Sequence, residues 1–229
     1  MEEVIIIKNP TKYDKIRLGK NHDGGYVIMD GLEYNLLIGC GIACDISFED
    51  DFLEKYKHQD VWCVALDGTI NDIPNCRHRQ RIQFQKSNIK GNNITNLLNF
   101  GESIFLKMDI EGSEYKFFDE ISEKELNNIS QMVVEFHSKI SVCPDGWENY
   151  KINCIKKILK THDMVHFHAN NYVTVKDNIP KVFEATFVHK KYIKDDYKLN
   201  DKPLPTSIDH ANNSSVPDHI LKGFPYQRD

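Results

Sequence analysis

The chain has 229 residues, 40% apolar and 28% charged, with 29 basic against 34 acidic side chains and a net charge of −5. That is a globular composition with enough apolar material for a real core, and an acidic balance excludes a dedicated nucleic-acid binder, which carries a basic excess. No apolar run approaches the ~20 residues of a membrane helix, and the start MEEVIIIKNP lacks a signal peptide's basic lead and apolar stretch, so the cytoplasm is the expected compartment.

One domain is expected over 1–229, with an N-terminal lead-in over 1–34 and a C-terminal extension over 195–229. NLLIGC (35–40), VWCVAL (61–66), RIQFQ (81–85), SIFLKMDI (103–110), QMVVEFH (131–137), MVHFH (164–168) and VFEATFVHK (182–190) read as strands. They are mostly continuous apolar runs, as expected of strands covered on both faces. Between them lie helix patterns. Ser47–Phe48–Glu49–Asp50 resembles a capping box, and Phe48, Phe52 and Tyr56 then recur at spacing four. Gly112 to Asn128 carries Tyr115, Phe118, Ile121 and Leu126 on one helical face, and Ile152, Ile155 and Leu159 mark another helix. The last two strands are too close for a long helix between them; Asn170–Asn171 and Asp177–Asn178 predict turns and an antiparallel return. The resulting fold class is α/β: a Rossmann-like, seven-stranded, mostly parallel sheet with helices on both faces and an antiparallel last strand, the layout of class I methyltransferases.

Smaller signals complete the pass. Arg77, Arg79 and Arg81 alternate along an extended stretch, as a solvated strand edge or as contacts to phosphates. The six cysteines include Cys40 and Cys63 inside apolar runs, and read as reduced thiols; paired CxxC spacings are absent, which argues against a structural zinc. The extension holds four prolines, while Leu204, Ile208 and Leu221 favour a segment that wraps the domain over a loose tail.

At the ligand end, the first core strand closes in Gly39–Cys40–Gly41, where absent Cβ atoms let backbone approach a ligand. Asp67 closes the next strand and can accept both hydrogens of a ribose diol. Dinucleotide sites show a third glycine, but Gly39 to Cys44 reads GCGIAC, so a nucleoside without phosphates such as S-adenosylmethionine fits better. Ser87 and Asn88 are placed to meet an adenine, or form a polar turn. Asp23–Gly24–Gly25–Tyr26 is a turn signal, with Tyr26 free to close over the cofactor.

At the other end, Asp109 closes the fourth core strand, Glu135 and His137 the fifth and His168 the sixth. Glu135 and His137, two apart on a strand, point to the same side. An unperturbed imidazole titrates near neutrality, so His137 is the expected general base for an acceptor hydroxyl. The alternative is a divalent metal, Mg²⁺ or Mn²⁺, held by Asp109, His137 and Glu135. Structural readings stand beside these. Asp109 could cap the next helix, His137 and His166 could be packed core histidines, and Glu111 and Glu114 could be exposed first-turn carboxylates. Glu184, alone in an apolar strand, needs a partner and could orient His137 or His168. Trp147, in the loop from Cys143, could be a substrate lid or a packing residue.

The segment Lys107–Met108–Asp109–Ile110–Glu111–Gly112–Ser113–Glu114 closely resembles the signature of FkbM-type methyltransferases. Arg17–Leu18–Gly19, Asp23 to Val27, Asp45 to Glu49, Val134 to His137, His166 to Asn171, Phe183 to Phe187 and Pro205 to Asn213 resemble one branch of that family. The resemblance implies an S-adenosylmethionine-dependent O-methyltransferase acting on a hydroxyl of a small molecule. It makes a sugar for a surface or capsular polysaccharide, nucleotide-linked, the leading acceptor, and Glu111, Asn170, Asn171 and Glu184 its candidate contacts. Neither a nucleic-acid nor a membrane-spanning partner is expected. The competing readings are a non-sugar acceptor (lipid, peptide or phosphorus-containing group), a nicotinamide-dependent oxidoreductase, and a binding module without turnover.

Overall fold

The computed structural model describes residues 4–89, 93–138 and 147–228, the side chains of 147 and 148 excepted. The loop from Cys143 and the Trp147 side chain lie outside the described residues. In chain order, β1 (Lys8–Pro10), β2 (Lys15–Leu18) and β3 (Tyr26–Met29) precede β4 (Leu36–Cys40), α1 (Ser47–Lys55), β5 (Trp62–Asp67) and β6 (Ile82–Lys86). Then come α2 (Thr95–Leu98), β7 (Ile104–Met108), α3 (Glu114–Glu120), α4 (Glu123–Asn128), β8 (Ile129–His137), α5 (Trp147–Thr161) and β9 (His162–Ala169). Short β10 (Val175–Lys176) and β11 (Ile179–Pro180) lead into β12 (Val182–His189), α6 (Lys190–Ile193) and β13 (Tyr197–Leu199).

The central sheet runs β6-β5-β4-β7-β8-β12-β9. Neighbours from β6 to β8 are parallel, and only β12 runs antiparallel, against both β8 and β9. Numbered within the sheet, this is order 3-2-1-4-5-7-6 with strand seven reversed: the Rossmann-like fold of class I methyltransferases. The strands read as continuous apolar runs because both faces are covered. Leu36, Ile38 and Cys40 face one core with Phe117, Phe118, Ile155 and Ile158 from α3 and α5. Leu37 faces the other, with Phe48, Phe52 and Tyr56 from α1. The spacing-four stripe of α1 is thus a core face; the Phe52 ring lies 4.7 Å from that of Phe105.

The β2–β3 hairpin lies on the α1 side of the sheet. Gln131 of β8 clamps it, its side chain taking Met29 N at 2.7 Å and giving to Met29 O at 2.9 Å, while Thr186 of β12 donates to Val27 O. The C-terminal extension wraps rather than hangs free. β13 pairs with β1, Leu204 bridges Leu221, and Leu204, Leu221 and Tyr226 are buried. Asp177 and Asn178, at φ 51° and 60°, form the tight turn between β10 and β11.

Three local expectations are corrected. The residues around Ser47 form no capping box: Ile46 is the cap, and the Ser47 hydroxyl accepts from Lys20 N instead. The stretch from Gly112 to Asn128 is two helices, because Ile121 is extended and a capping box, Ser122 with Glu125, starts α4. That S-x-x-E signal was present in the sequence. Arg77, Arg79 and Arg81 do not line an extended edge; residues 79–81 form a 3₁₀ turn. Arg77 pairs with Asp50 and Asp51, Arg79 with Asp72, and Arg81 donates to the carbonyls of Val61 and Gln59.

Candidate active site

A cleft of about 540 Å³ opens over the carboxyl ends of β4, β5, β6 and β7, where open α/β sheets bind ligands. Gly41 shapes it. Its N–H donates to Leu66 O, Asp109 N donates to Cys40 O, and a Cβ on Gly41 (φ +78°) would lie 1.6 Å from Asp109 O. The loops after β4 and β7 therefore cross at a point only glycine permits. Gly41, Asp67, Ser87 and Asn88 line the cleft, as expected of cofactor residues. Gly39 and Cys40 do not. Cys40 is buried in the core, its thiol pushed up to about 12 by burial, and Gly39 makes room for Glu49. Asp67 has a structural duty as well. One oxygen accepts from Ile42 N (2.9 Å) and Ala43 N (2.7 Å), the other from Thr69 N and Oγ1 (both 2.6 Å), and these bonds hold its carboxyl below the usual range against the pull of burial. Asn88 packs over Gly68, where a Cβ would meet its Oδ1 at 1.9 Å.

Behind the opposite wall, which Tyr26, Asp109 and Glu111 line, acids surround one imidazole. β7 and β8 are parallel neighbours, so Asp109 and His137, one at each carboxyl end, converge. His137 Nε2 is 3.9 Å from Asp109 Oδ1, 4.0 Å from Glu135 Oε1 and 3.7 Å from Glu111 Oε2. Its Nδ1 is 3.1 Å from Glu114 Oε1. Glu114 is fully buried, not an exposed first-turn carboxylate, and the same oxygen accepts from Ile110 N and Gly112 N, so it fixes both the DIEG loop and the imidazole. Burial would lower the His137 pKa, but the Glu114 bond and the charges of Glu114, Glu135 and Asp109 outweigh it and raise it to about 9. These contacts favour the protonated imidazole, where a neutral base was expected. Glu111 (φ +54°) is the exposed carboxylate of the pair.

Tyr26, expected to close over the cofactor, is buried and tied into this acid cluster. Its hydroxyl donates to Asp109 Oδ2 at 3.1 Å and lies 3.4 Å from Glu135 Oε2. Asn170 donates to Glu135 Oε1 at 2.6 Å and receives Tyr172 N, so it positions Glu135 and forms its turn at once. Burial, then the charges of Asp109 and Glu184, push the Glu135 carboxyl well above its ordinary range. Asp109 Oδ1 is left buried with no hydrogen-bond partner among the described residues. The signature segment set Lys107, whose Nζ donates to Gly41 O at 2.6 Å, and Glu114 beside Asp109 without showing what they bond, and nothing in the linear pattern linked Tyr26 to this cluster.

Glu184 and His168, expected here, lie one and two strands beyond β8, on β12 and β9, in a buried latch outside the cleft lining. His168 Nε2 is 2.9 Å from Asp218 Oδ2 and its Nδ1 3.4 Å from Glu184 Oε2. Burial opposes its charge, but these two bonds win and raise it to about 10. Glu184 also accepts from Asn212 at 2.8 Å. Asn171 holds the C-terminal extension, donating to Asn213 O and Val216 O and accepting Asn213 N. His166 meets Asp209 at 2.8 Å. Burial lowers the His166 pKa, while the contact with His166, then the charge of His168 and the bond from Thr206, hold the Asp209 carboxyl below its usual range against burial.

The chain matches no protein-family model and no curated protein. Solved structures similar to it include the Methanococcus jannaschii fibrillarin pre-rRNA processing protein, at 10% identity over 80% of this chain and 88% of that one, TM-score 0.41. A fibrillarin/Nop5p complex is 10% identical over 69% and 72%, TM-score 0.42. The precorrin-6y C5,15-methyltransferase of Geobacter metallireducens is 8% identical over 69% and 82%, TM-score 0.33. The fold assignment rests on the strand order above, which defines a chain of class I methyltransferase architecture.

Proposed function

We propose that this chain is an S-adenosylmethionine-dependent O-methyltransferase of FkbM type, acting in the cytoplasm on a hydroxyl of a small acceptor. A nucleotide-linked sugar bound for a surface or capsular polysaccharide is the acceptor we put first. The observation that carries the reading is the cleft itself. It has a backbone-shaped end at Gly41, Asp67, Ser87 and Asn88, and opposite it Asp109 with an unpartnered buried oxygen beside His137. The volume suits a nucleoside-sized ligand. None of the described helices is long and apolar enough to cross a membrane.

Bound S-adenosylmethionine would supply a sulfonium methyl, taken in line by the acceptor oxygen as the S–C electron pair returns to sulfur. The chain's part is to aim that oxygen and remove its proton. Asp109 Oδ1 is the group placed to receive the proton, since Oδ2 is occupied by Tyr26. The imidazolium of His137, 3.9 Å away, balances the carboxylates around it, and Glu114 keeps it there.

A second reading adds a divalent cation. Ligand atoms of Asp109, Glu135 and His137 all lie within 4.8 Å of one another, and carboxylate with imidazole suits Mg²⁺ or Mn²⁺. These three residues would hold it, and it would acidify the acceptor hydroxyl. Incubation with labelled methyl donor and a panel of nucleotide sugars, read by mass spectrometry for one added methyl, tests the function. Transfer is expected. Stabilisation by NAD, with no thermal shift from S-adenosylmethionine, would overturn it. Full activity in excess EDTA would remove the cation.

A further inference from the structure

Four of the eight large apolar side chains that stand exposed among the described residues, Tyr172, Val216, Ile220 and Phe224, belong to one surface. It is made by residues 170–181, the turn after β9 with the β10–β11 hairpin, and by residues 213–224 of the C-terminal extension. Side chains tie the two stretches together. Asn171 donates to the carbonyls of Val216 and Pro217, His219 Nε2 is 2.8 Å from Val173 O, and Asn178 donates to the carbonyls of Lys222 and Phe224. Val175 and Ile179 pack on the core, which leaves Lys176 outside. Lys181 and Lys222 share the surface, and no carboxylate pairs with any of the three lysines among the described residues. The acids of the two stretches are Asp177, exposed, and Asp218, which His168 holds. A chain of net charge −5 thus carries a local positive excess around its exposed apolar side chains.

This surface stands at the cleft's edge of the sheet. β12 is antiparallel to both of its neighbours, so β9 runs with β8 and both end at that edge. Ser138 N, next to His137, donates to Lys181 O at 2.9 Å, and Asn170, two residues before Tyr172, donates to Glu135. Aromatic and aliphatic side chains among unpaired lysines match the boundary of an anionic bilayer: the apolar groups enter the acyl edge while the ammonium groups meet lipid phosphates. A symmetric dimer through this face would instead set the same lysines against each other. We propose that the face docks the chain on an anionic lipid membrane, with the carboxyl ends of β8 and β9 turned towards the head groups. The docking stands whether or not the methyl-donor reading does.

Flotation of the full chain with phosphatidylcholine vesicles, with and without ~30% phosphatidylglycerol, tests this at ~0.1 M and ~0.5 M salt. Wild type is expected to float with the anionic vesicles at low salt, about tenfold more than with phosphatidylcholine alone, and to be released at high salt. Lys176→Glu with Lys222→Glu, and separately Val216→Ser with Ile220→Ser, should each lower flotation about tenfold. No flotation, equal flotation on both vesicles, or wild-type flotation of either double variant overturns the proposal. So does a dimer, seen by light scattering, that Val216→Ser with Ile220→Ser dissolves while wild type stays off the vesicles: a second copy then covers the face. Should a variant melt early, wild type alone decides, since dependence on phosphatidylglycerol and release by salt need no variant.

Discussion

At the carboxyl ends of β4 and β5 the cleft is shaped by backbone: a loop crossing at Gly41 and a carboxylate, Asp67, that accepts from Ile42, Ala43 and Thr69. At the ends of β7 and β8 it is bordered by side-chain charge, with Glu114, Glu135 and His137 wholly or largely buried and pinned on one another, and outside the lining Glu184 and His168 form a second charged group on β12 and β9. The first region could be assembled from three consecutive elements. The second needs the N-terminal hairpin for Tyr26 and the C-terminal extension for Asp218 and Asn212. A pocket end shaped by backbone can be built from local geometry, whereas a cluster of like charges has to be held together by distant parts of the chain.

Variants in the charged half should show the largest effect. Asp109→Asn and His137→Ala are expected to lower turnover by ~10²–10⁴-fold while donor binding changes little; steady-state kinetics with calorimetry checks this. Near-normal turnover in both would mean the reacting centre lies elsewhere. In the backbone half, Gly41→Ala forces a Cβ onto Asp109 O. It should cost more than ~3 kcal/mol in denaturant unfolding, since both crossing loops must move. Wild-type stability there would remove the crossing as the feature that shapes the cleft.

The smallest expected effect lies in the latch. Asp218→Asn should destabilise by ~1–3 kcal/mol. His168 has its pKa raised on folding, to about 10. The stabilisation it gains from Asp218 is therefore complete below its unfolded value near ~6.5 and is lost as pH rises through about 10. The stability gap between wild type and Asp218→Asn should close over that window. A gap unchanged to pH ~11 would show that the contact is not ionic.

Much of this was legible in the linear pattern. The strand runs, the α1 stripe, the antiparallel return and the wrapping extension all emerge from periodicity and turn residues. Asp67 and Asp109 were readable as cleft-lining residues because each closes a strand, and the cleft opens over the strands' carboxyl ends. The neutral His137 was misread because a pKa depends on neighbours: Glu114 lies 23 residues upstream. His168 was misplaced for the same reason, its decisive partner Asp218 being 50 residues downstream. Gly39 looked like a ligand contact and proved to be space for Glu49.

Short-range pattern settled the α/β class and which side chains stand at the strand ends, because apolar alternation and backbone hydrogen bonding act over a few residues. Which of those side chains meet, and which of them carry a proton, was left to the assembled sheet. Tyr26 and Glu135, 109 residues apart, touch only because β3 lies across β8. Charge and desolvation act through space, and the chain's path through that space is a property of the whole fold.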